Sequence, residues 1–107
     1  TNIRVHVLDK QVFPTAIHTS VTDYRYAYKQ GEQEHLESIE IPADLADRCI
    51  DLTGALGLHF AGVDLMTTTD GRVYCLEVNP CPAFSYYELQ TGQPIARAVA
   101  KYLAGTD

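Results

Sequence analysis

Two runs of β-type sequence joined by a tight turn constrain the fold of this chain most strongly. The runs cover residues 58–66 and 72–79, and Asp70-Gly71 between them is typical of a two-residue hairpin turn. Both runs are rich in the β-branched and apolar residues that strands prefer. The sequence therefore predicts an antiparallel hairpin whose register follows from the turn.

That register predicts which side chains share a face of the hairpin. A two-residue turn pairs Asp64 with Glu77 and Gly62 with Asn79. Because side chains alternate along a strand, Asp64, Glu77 and Asn79 lie on one face. The other face is predicted to be core, with Leu65 opposite Leu76 and Val63 opposite Val78.

The polar face has two interpretations. Carboxylates directly opposite each other repel, which costs about 0.2–1 kcal/mol. A bound cation reverses that effect, and the oxygen ligands of Asp64, Glu77 and Asn79 suit Mg²⁺, with Mn²⁺ as an alternative. In the other interpretation, the two carboxylates face solvent and pair with Arg or Lys.

Composition narrows the class of protein. The 107 residues are enough for one small domain, residues 1–107, or for part of a larger protein. The net charge of −6 argues against nucleic-acid partners and membrane surfaces. Three cysteines without CxxC spacing, and no signal peptide, favour a reducing, cytoplasmic location. Cys81, between two prolines, is either a reactive thiol or a tolerated free cysteine.

The remaining pattern predicts an α+β fold, an antiparallel sheet covered by helices. Apart from the hairpin, the predicted strands are Ile3–Leu8, Gln11–Ser20, Asp23–Tyr28 and Ser38–Ile41, with a loop over Gln30–Glu37. The predicted helices are Pro42–Leu56, Phe84–Leu89 and Pro94–Leu103.

Two arginines are candidates for phosphate binding. Arg4 stands in the middle of the first strand, and Arg25 follows Asp23 near the start of the third. A guanidinium donates paired hydrogen bonds to phosphate oxygens. The alternatives are a surface role for Arg4 and an ion pair with Asp23 for Arg25.

These residues together resemble a known family. The segments Asn2-Ile3-Arg4-Val5, Asp23-Tyr24-Arg25, Ala61-Gly62-Val63-Asp64-Leu65 and Leu76-Glu77-Val78-Asn79-Pro80 are similar to the C-terminal part of ATP-grasp ligases. The subgroup they resemble is the RimK-type carboxylate–amine ligases, relatives of glutathione synthetase. The similarity covers essentially the whole chain.

The resemblance implies an ATP-dependent ligase that forms an amide through an acyl-phosphate. By analogy, Asp64, Glu77 and Asn79 would bind Mg²⁺ at the ATP phosphates, with Glu77 bridging two ions. Arg4 would neutralise the transferred phosphoryl group, and Arg25 would contact phosphate or the carboxylate substrate. Leu76 would flank the adenine pocket. The substrates would be small-molecule or peptide carboxylates and amines.

The resemblance has gaps. Asn2 replaces an Asp that is common in the family, and the loop after Asn79 reads Pro80-Cys81-Pro82 rather than the usual small residue and Pro-Gly. The nucleotide-binding N-terminal half is absent from these 107 residues, so we expect negligible ligase activity from them alone. Two rival functions remain, an ATP-grasp kinase acting on a hydroxyl and a non-catalytic nucleotide-binding or interaction module.

Overall fold

The computed structural model describes residues 1–18, 35–80, 82 and 84–105. Its elements in chain order are β1 Asn2–Leu8, β2 Gln11–His18, β3 His35–Ser38, α1 Ala43–Ala55, β4 Phe60–Thr67, β5 Val73–Asn79, α2 Ser85–Thr91 and α3 Ile95–Ala104. The predicted strand Asp23–Tyr28, with Arg25, lies outside the described residues. In the described part of the chain, every helix is too short or too polar to cross a membrane.

The strands form a five-stranded antiparallel sheet in the order β3-β2-β1-β4-β5, which confirms the predicted α+β architecture. β3 covers His35–Ser38, so the predicted strand Ser38–Ile41 is wrong beyond its first residue. The end of the predicted loop, at His35–Glu37, is wrong for the same reason. The one buried side chain of β3, Leu36, pairs with Ile17 of β2, and the exposed side chains around it gave the segment a loop-like composition. A short edge strand that buries only one leucine lacks the alternating pattern by which strands are recognised in a sequence.

The turn between β4 and β5 is one residue longer than predicted. The amide of Gly71 donates to the carbonyl of Thr68 at 3.1 Å, and the amide of Thr68 donates to the carbonyl of Arg72 at 2.9 Å. Gly71 has a φ of 87°, in the left-handed region that glycine adopts without strain. A three-residue loop ending in such a glycine is a common hairpin connection.

A β-bulge compensates for the longer turn. Near the turn Leu65 pairs with Cys75, but the next pair is Asp64 with Glu77, so Leu76 is the extra residue. The predicted pairing of Leu65 with Leu76 is therefore wrong, and Leu76 is 58% exposed rather than core. Beyond the bulge the predicted register is restored, and bulges often occur next to functional sites.

One face of the sheet packs against α1 to form the hydrophobic core. Its buried members are Ile3, Val5, Val7, Cys49, Val63 and Leu65. Each large apolar side chain buried in this way contributes about 1.5–3 kcal/mol. The alternation along β1 leaves the opposite face to Arg4 and His6.

A buried glutamine fixes the segment between α2 and α3 to the sheet. The Nε2 of Gln93 donates to the carbonyl of Pro14 at 2.8 Å and to the Oγ of Ser38 at 3.2 Å. The Thr15 hydroxyl donates to Oε1 of Gln93 at 3.2 Å. Ile95, at the start of α3, is fully buried. These contacts hold α2 on the face of the sheet opposite to α1.

Candidate functional site

The β4–β5 hairpin carries the predicted cation ligands on one face. Asp64 lies opposite Glu77, and Gly62 lies opposite Asn79 at the end of β5. Because alternate residues share a face, the two carboxylates and the Asn79 side chain lie on the face away from α1. The structure therefore brings the three residues together as predicted, while their role as ligands stays a prediction.

Arg4 joins this group from the neighbouring strand. It lies opposite Asp64 in the β1–β4 register, and its Nε and Nη2 donate to the two carboxylate oxygens of Asp64, the second at 3.1 Å. The side chains are only 16% and 26% exposed, so Arg4 is not a surface arginine. Such a bidentate, charge-assisted ion pair fixes the plane of the guanidinium.

The environment of Arg4 keeps it charged. Burial acts to lower the pKa of Arg4, but the hydrogen bonds to Asp64 and the negative charge of nearby groups, including Glu77, raise it by more. The net effect is a pKa above the ordinary arginine value. A permanent positive charge next to two carboxylates is an arrangement that attracts anionic ligands once a cation neutralises the acids.

Gly62 makes the room in which Arg4 lies. A Cβ atom at Gly62 would stand 3.2 Å from Cδ and 3.3 Å from Nη1 of Arg4, and 3.1 Å from Cβ of Pro82. The arginine stem therefore crosses β4 at the one position without a side chain. Glycine inside a strand often marks such a close approach.

Helix α2 covers Arg4 with an aromatic ring. Cζ of Arg4 lies 5.2 Å from the centroid of the Tyr87 ring, within the range of a cation–π interaction. The same ring meets His6 edge-on at 5.0 Å between centroids, and Phe60 stacks on His6 at 6.3 Å. Arg4 and His6, two residues apart on β1, thus share one aromatic enclosure.

His6 is fully buried, and neither ring nitrogen has a hydrogen-bond partner among the described residues. Burial, reinforced by the charge of Arg4, lowers the pKa of His6 to about 4. The imidazole is therefore neutral at physiological pH. A buried polar group without a partner costs about 1–3 kcal/mol, and the packing of Phe60 and Tyr87 against the ring has to offset that cost.

A cavity of about 300 Å³ opens beside these residues. It is lined by Asn2, Ile3, Arg4, Ile17, Asp64, Leu65, Leu76, Glu77 and Tyr87. The bulge turns the exposed Leu76 toward this cavity rather than the core. An apolar side chain next to charged groups is the usual composition of a small-molecule site.

The side-chain oxygens of Asp64, Glu77 and Asn79 fit part of the coordination shell of a hard divalent cation. No group of three or more His, Cys, Asp and Glu residues that could hold a metal occurs in the described ranges. The candidate set has two carboxylates and one amide oxygen instead, and Asp64 is also paired with Arg4. Mg²⁺ commonly takes one or two carboxylates and completes its shell with water or phosphate.

Sequence reasoning missed two members of the site. His6 could have been found, because its position two residues after Arg4 places it on the same strand face. Tyr87 had no such signal, since its contact with Arg4 depends on how α2 folds back over the sheet. The position of Arg25 lies outside the described residues.

This chain is similar in sequence and structure to parts of several known ligases. A tetrahydromethanopterin:alpha-L-glutamate ligase of Methanocaldococcus jannaschii is 31% identical over 83 residues, which are 78% of this chain and 28% of that protein. The macrocyclase MdnC from Microcystis aeruginosa MRC, solved with its precursor peptide MdnA, is 26% identical with a TM-score of 0.79. That match covers 97% of this chain and 33% of MdnC.

The ATP-grasp ligase PsnB, solved with a phosphomimetic precursor variant, Mg and ADP, is 29% identical with a TM-score of 0.73. That match covers 92% of this chain and 32% of PsnB. The chain thus spans about a third or less of the length of these relatives. The family model for the RimK-like ATP-grasp domain matches residues 1–103. The chain therefore belongs to the RimK-like ATP-grasp family.

Proposed function

We propose that this chain is the C-terminal, Mg·ATP-binding subdomain of an ATP-dependent carboxylate–amine ligase. The observation that carries the proposal is the convergence of Arg4, Asp64, Glu77 and Asn79 on one face beside a cavity. Family membership and the ligases among its relatives support the same reaction class. The rest of the ATP site would come from a preceding nucleotide-binding half of the same protein.

The proposed reaction has two steps. A carboxylate oxygen of the substrate attacks the γ-phosphorus of ATP, the bond to the β-phosphate oxygen breaks, and ADP leaves. The amine nitrogen of the second substrate then attacks the acyl carbon, forming the amide and releasing phosphate with loss of the amine proton. Both steps develop negative charge on phosphoryl oxygens, which fixed positive groups stabilise.

The residues of this chain take distinct roles in that scheme. Asp64, Glu77 and Asn79 would hold Mg²⁺, which when bound neutralises the phosphate charge of ATP. Arg4, kept charged by its surroundings, would donate hydrogen bonds to the transferred phosphoryl group. Leu76, exposed at the bulge beside Glu77, would offer an apolar contact to the nucleotide base. Arg25 is proposed to contact phosphate or carboxylate from sequence resemblance alone.

The relatives indicate two classes of carboxylate substrate. PsnB and MdnC were solved with precursor peptides, whereas the Methanocaldococcus relative is named as a ligase acting on tetrahydromethanopterin and glutamate. We therefore propose a peptide or small-molecule carboxylate activated in the cavity next to Arg4.

The test is a Glu77→Gln substitution in the full-length protein that carries this chain. Because the amide removes a negative ligand without changing shape, Mg·ATP-dependent ADP release should fall by at least about 100-fold. The matched control is Glu40→Gln, an exposed residue between β3 and α1, which should leave the rate unchanged. A Glu77→Gln protein with an unchanged rate would remove the metal role.

Hydroxylamine distinguishes the ligase from a kinase. An acyl-phosphate reacts with hydroxylamine to give a hydroxamate, whereas a phosphorylated hydroxyl does not. We expect ATP-dependent hydroxamate formation in the presence of the carboxylate substrate. ADP release without hydroxamate would favour a kinase, and no nucleotide turnover in the full-length protein would favour a binding module.

A further inference from the structure

Tyr87 lies outside every motif that the family resemblance draws on, yet it makes the aromatic contact with Arg4. It stands in α2, which begins shortly after the loop that follows Asn79. Its ring faces the Arg4 guanidinium at 5.2 Å and lines the same cavity. The contact therefore connects α2 with the group proposed to bind the phosphoryl.

The proposed role of Asp64 creates a need for this second contact. In the structure, the carboxylate of Asp64 accepts both hydrogen bonds that orient Arg4. A carboxylate that ligates a cation has less negative charge to offer an arginine. Cζ of Arg4 lies over the ring of Tyr87, and a cation–π contact needs none of the guanidinium N–H donors, so it is compatible with hydrogen bonding of those donors to a phosphoryl group.

The ring of Tyr87 also contacts His6, edge-on at 5.0 Å between centroids. Burial lowers the pKa of His6 to about 4, so this imidazole is neutral and does not compete with Arg4 as a cation. The helix is held in place as well. The Thr91 hydroxyl donates to the carbonyl of Tyr87 at 2.7 Å, and Gln93 fixes the following segment to β2.

We propose that Tyr87 is a positioning residue whose ring holds the guanidinium of Arg4 in line with the transferred phosphoryl group when Asp64 turns to the metal. This inference rests on the proposed function for its catalytic consequence. Its geometric content, that the ring restrains Arg4, is independent of the reaction.

The test compares Tyr87→Leu with Tyr87→Phe in the full-length protein. Leucine keeps an apolar side chain but removes the ring, so kcat should fall about 3- to 30-fold while KM for ATP changes less than about twofold. Phenylalanine keeps the ring face and should retain kcat within about twofold. Tyr102→Leu, on α3 beside His59, is the matched control and should leave kcat unchanged.

A second measurement does not depend on activity. Solvent exchange of the Arg4 Nε–H, followed by NMR and assigned through its loss in Arg4→Lys, should accelerate in Tyr87→Leu and not in Tyr87→Phe. Equal exchange in the wild type and Tyr87→Leu would overturn the proposal. So would a phenylalanine variant as impaired as the leucine variant. If the wild type has no ligase activity but exchange still responds, the proposed function fails while the restraint on Arg4 stands.

Discussion

Gly62→Ala tests whether the space over β4 sets the position of Arg4. The new Cβ would meet Cβ of Pro82 at 3.1 Å and Cδ of Arg4 at 3.2 Å. Carbon atoms in contact prefer about 3.5–4.0 Å, so the neighbours must move by a few tenths of an ångström. The backbone of Gly62 is not in the left-handed region, so alanine itself fits the strand.

The magnitudes separate stability from activity. Replacing glycine inside a strand gains about 0.5–1 kcal/mol, and crowding costs about 1–3 kcal/mol. Because the arginine stem is flexible, we place the crowding near its lower limit and expect a net change in unfolding free energy within about 1 kcal/mol. A misplacement of 1 Å can cost about 100-fold in rate. A shift of half that size in Arg4 should lower kcat/KM by about 10-fold.

Two assays on the full-length protein decide the outcome. Urea denaturation measures the free energy of unfolding, and ADP release measures kcat/KM. Gly54→Ala in α1 is the matched control, since nothing lies within 4 Å of its added Cβ and the rate should not change. An unchanged kcat/KM in Gly62→Ala would refute the reasoning that Arg4 needs this space. A loss of stability well above 2 kcal/mol would contradict the expected small change and show that Pro82 and Arg4 cannot move.

Two further predictions concern stability. The pKa of His6 falls from 6.5 to about 4 on folding, so the unfolded chain binds the extra proton and stability should drop as pH falls from about 6.5 to 4, by roughly 3 kcal/mol in total. Urea titrations at several pH values should show this slope, and His6→Phe should reduce it. Gln93→Leu leaves the Pro14 carbonyl and the Thr15 hydroxyl without their partner, so unfolding free energy should fall by about 2–3 kcal/mol, whereas exposed Gln90→Leu should change it little.

In the β4–β5 hairpin, the pairing of Asp64 with Glu77 was predicted correctly although the predicted turn was too short. The dipeptide Asp70-Gly71 predicts a two-residue turn, but the structure closes a longer loop with Gly71 alone in the left-handed region. The bulge at Leu76 shifts the strand back by one residue, so Asp64 and Glu77 still meet. Bulges depend on cross-strand packing rather than on a short sequence signal, and the exposure of Leu76 could not be read from its hydrophobicity.

The enclosure of Arg4 was beyond sequence reasoning for a different reason. Strand alternation predicts that Arg4 and His6 share a face, but not that a helix more than eighty residues later places Tyr87 against both. That contact is long-range. The hydrogen bond from Gln93 to the Pro14 carbonyl, which helps to hold α2 in place, also joins residues far apart in the chain. Contacts of this kind follow from the docking of α2, which no local pattern encodes.

In strand β1, burial of the core side chains fixes the register that places Arg4 in the site. Its odd-numbered residues Ile3, Val5 and Val7 pack under α1, and between them Arg4 faces Asp64. A slip of one residue would move the three apolar side chains to the polar face and lose about 1.5–3 kcal/mol for each. The backbone of Arg4 is therefore held opposite Asp64 by hydrophobic burial on the other face of the sheet. The hydrogen bonds of its guanidinium are then free to exchange partners during a reaction without loss of the register.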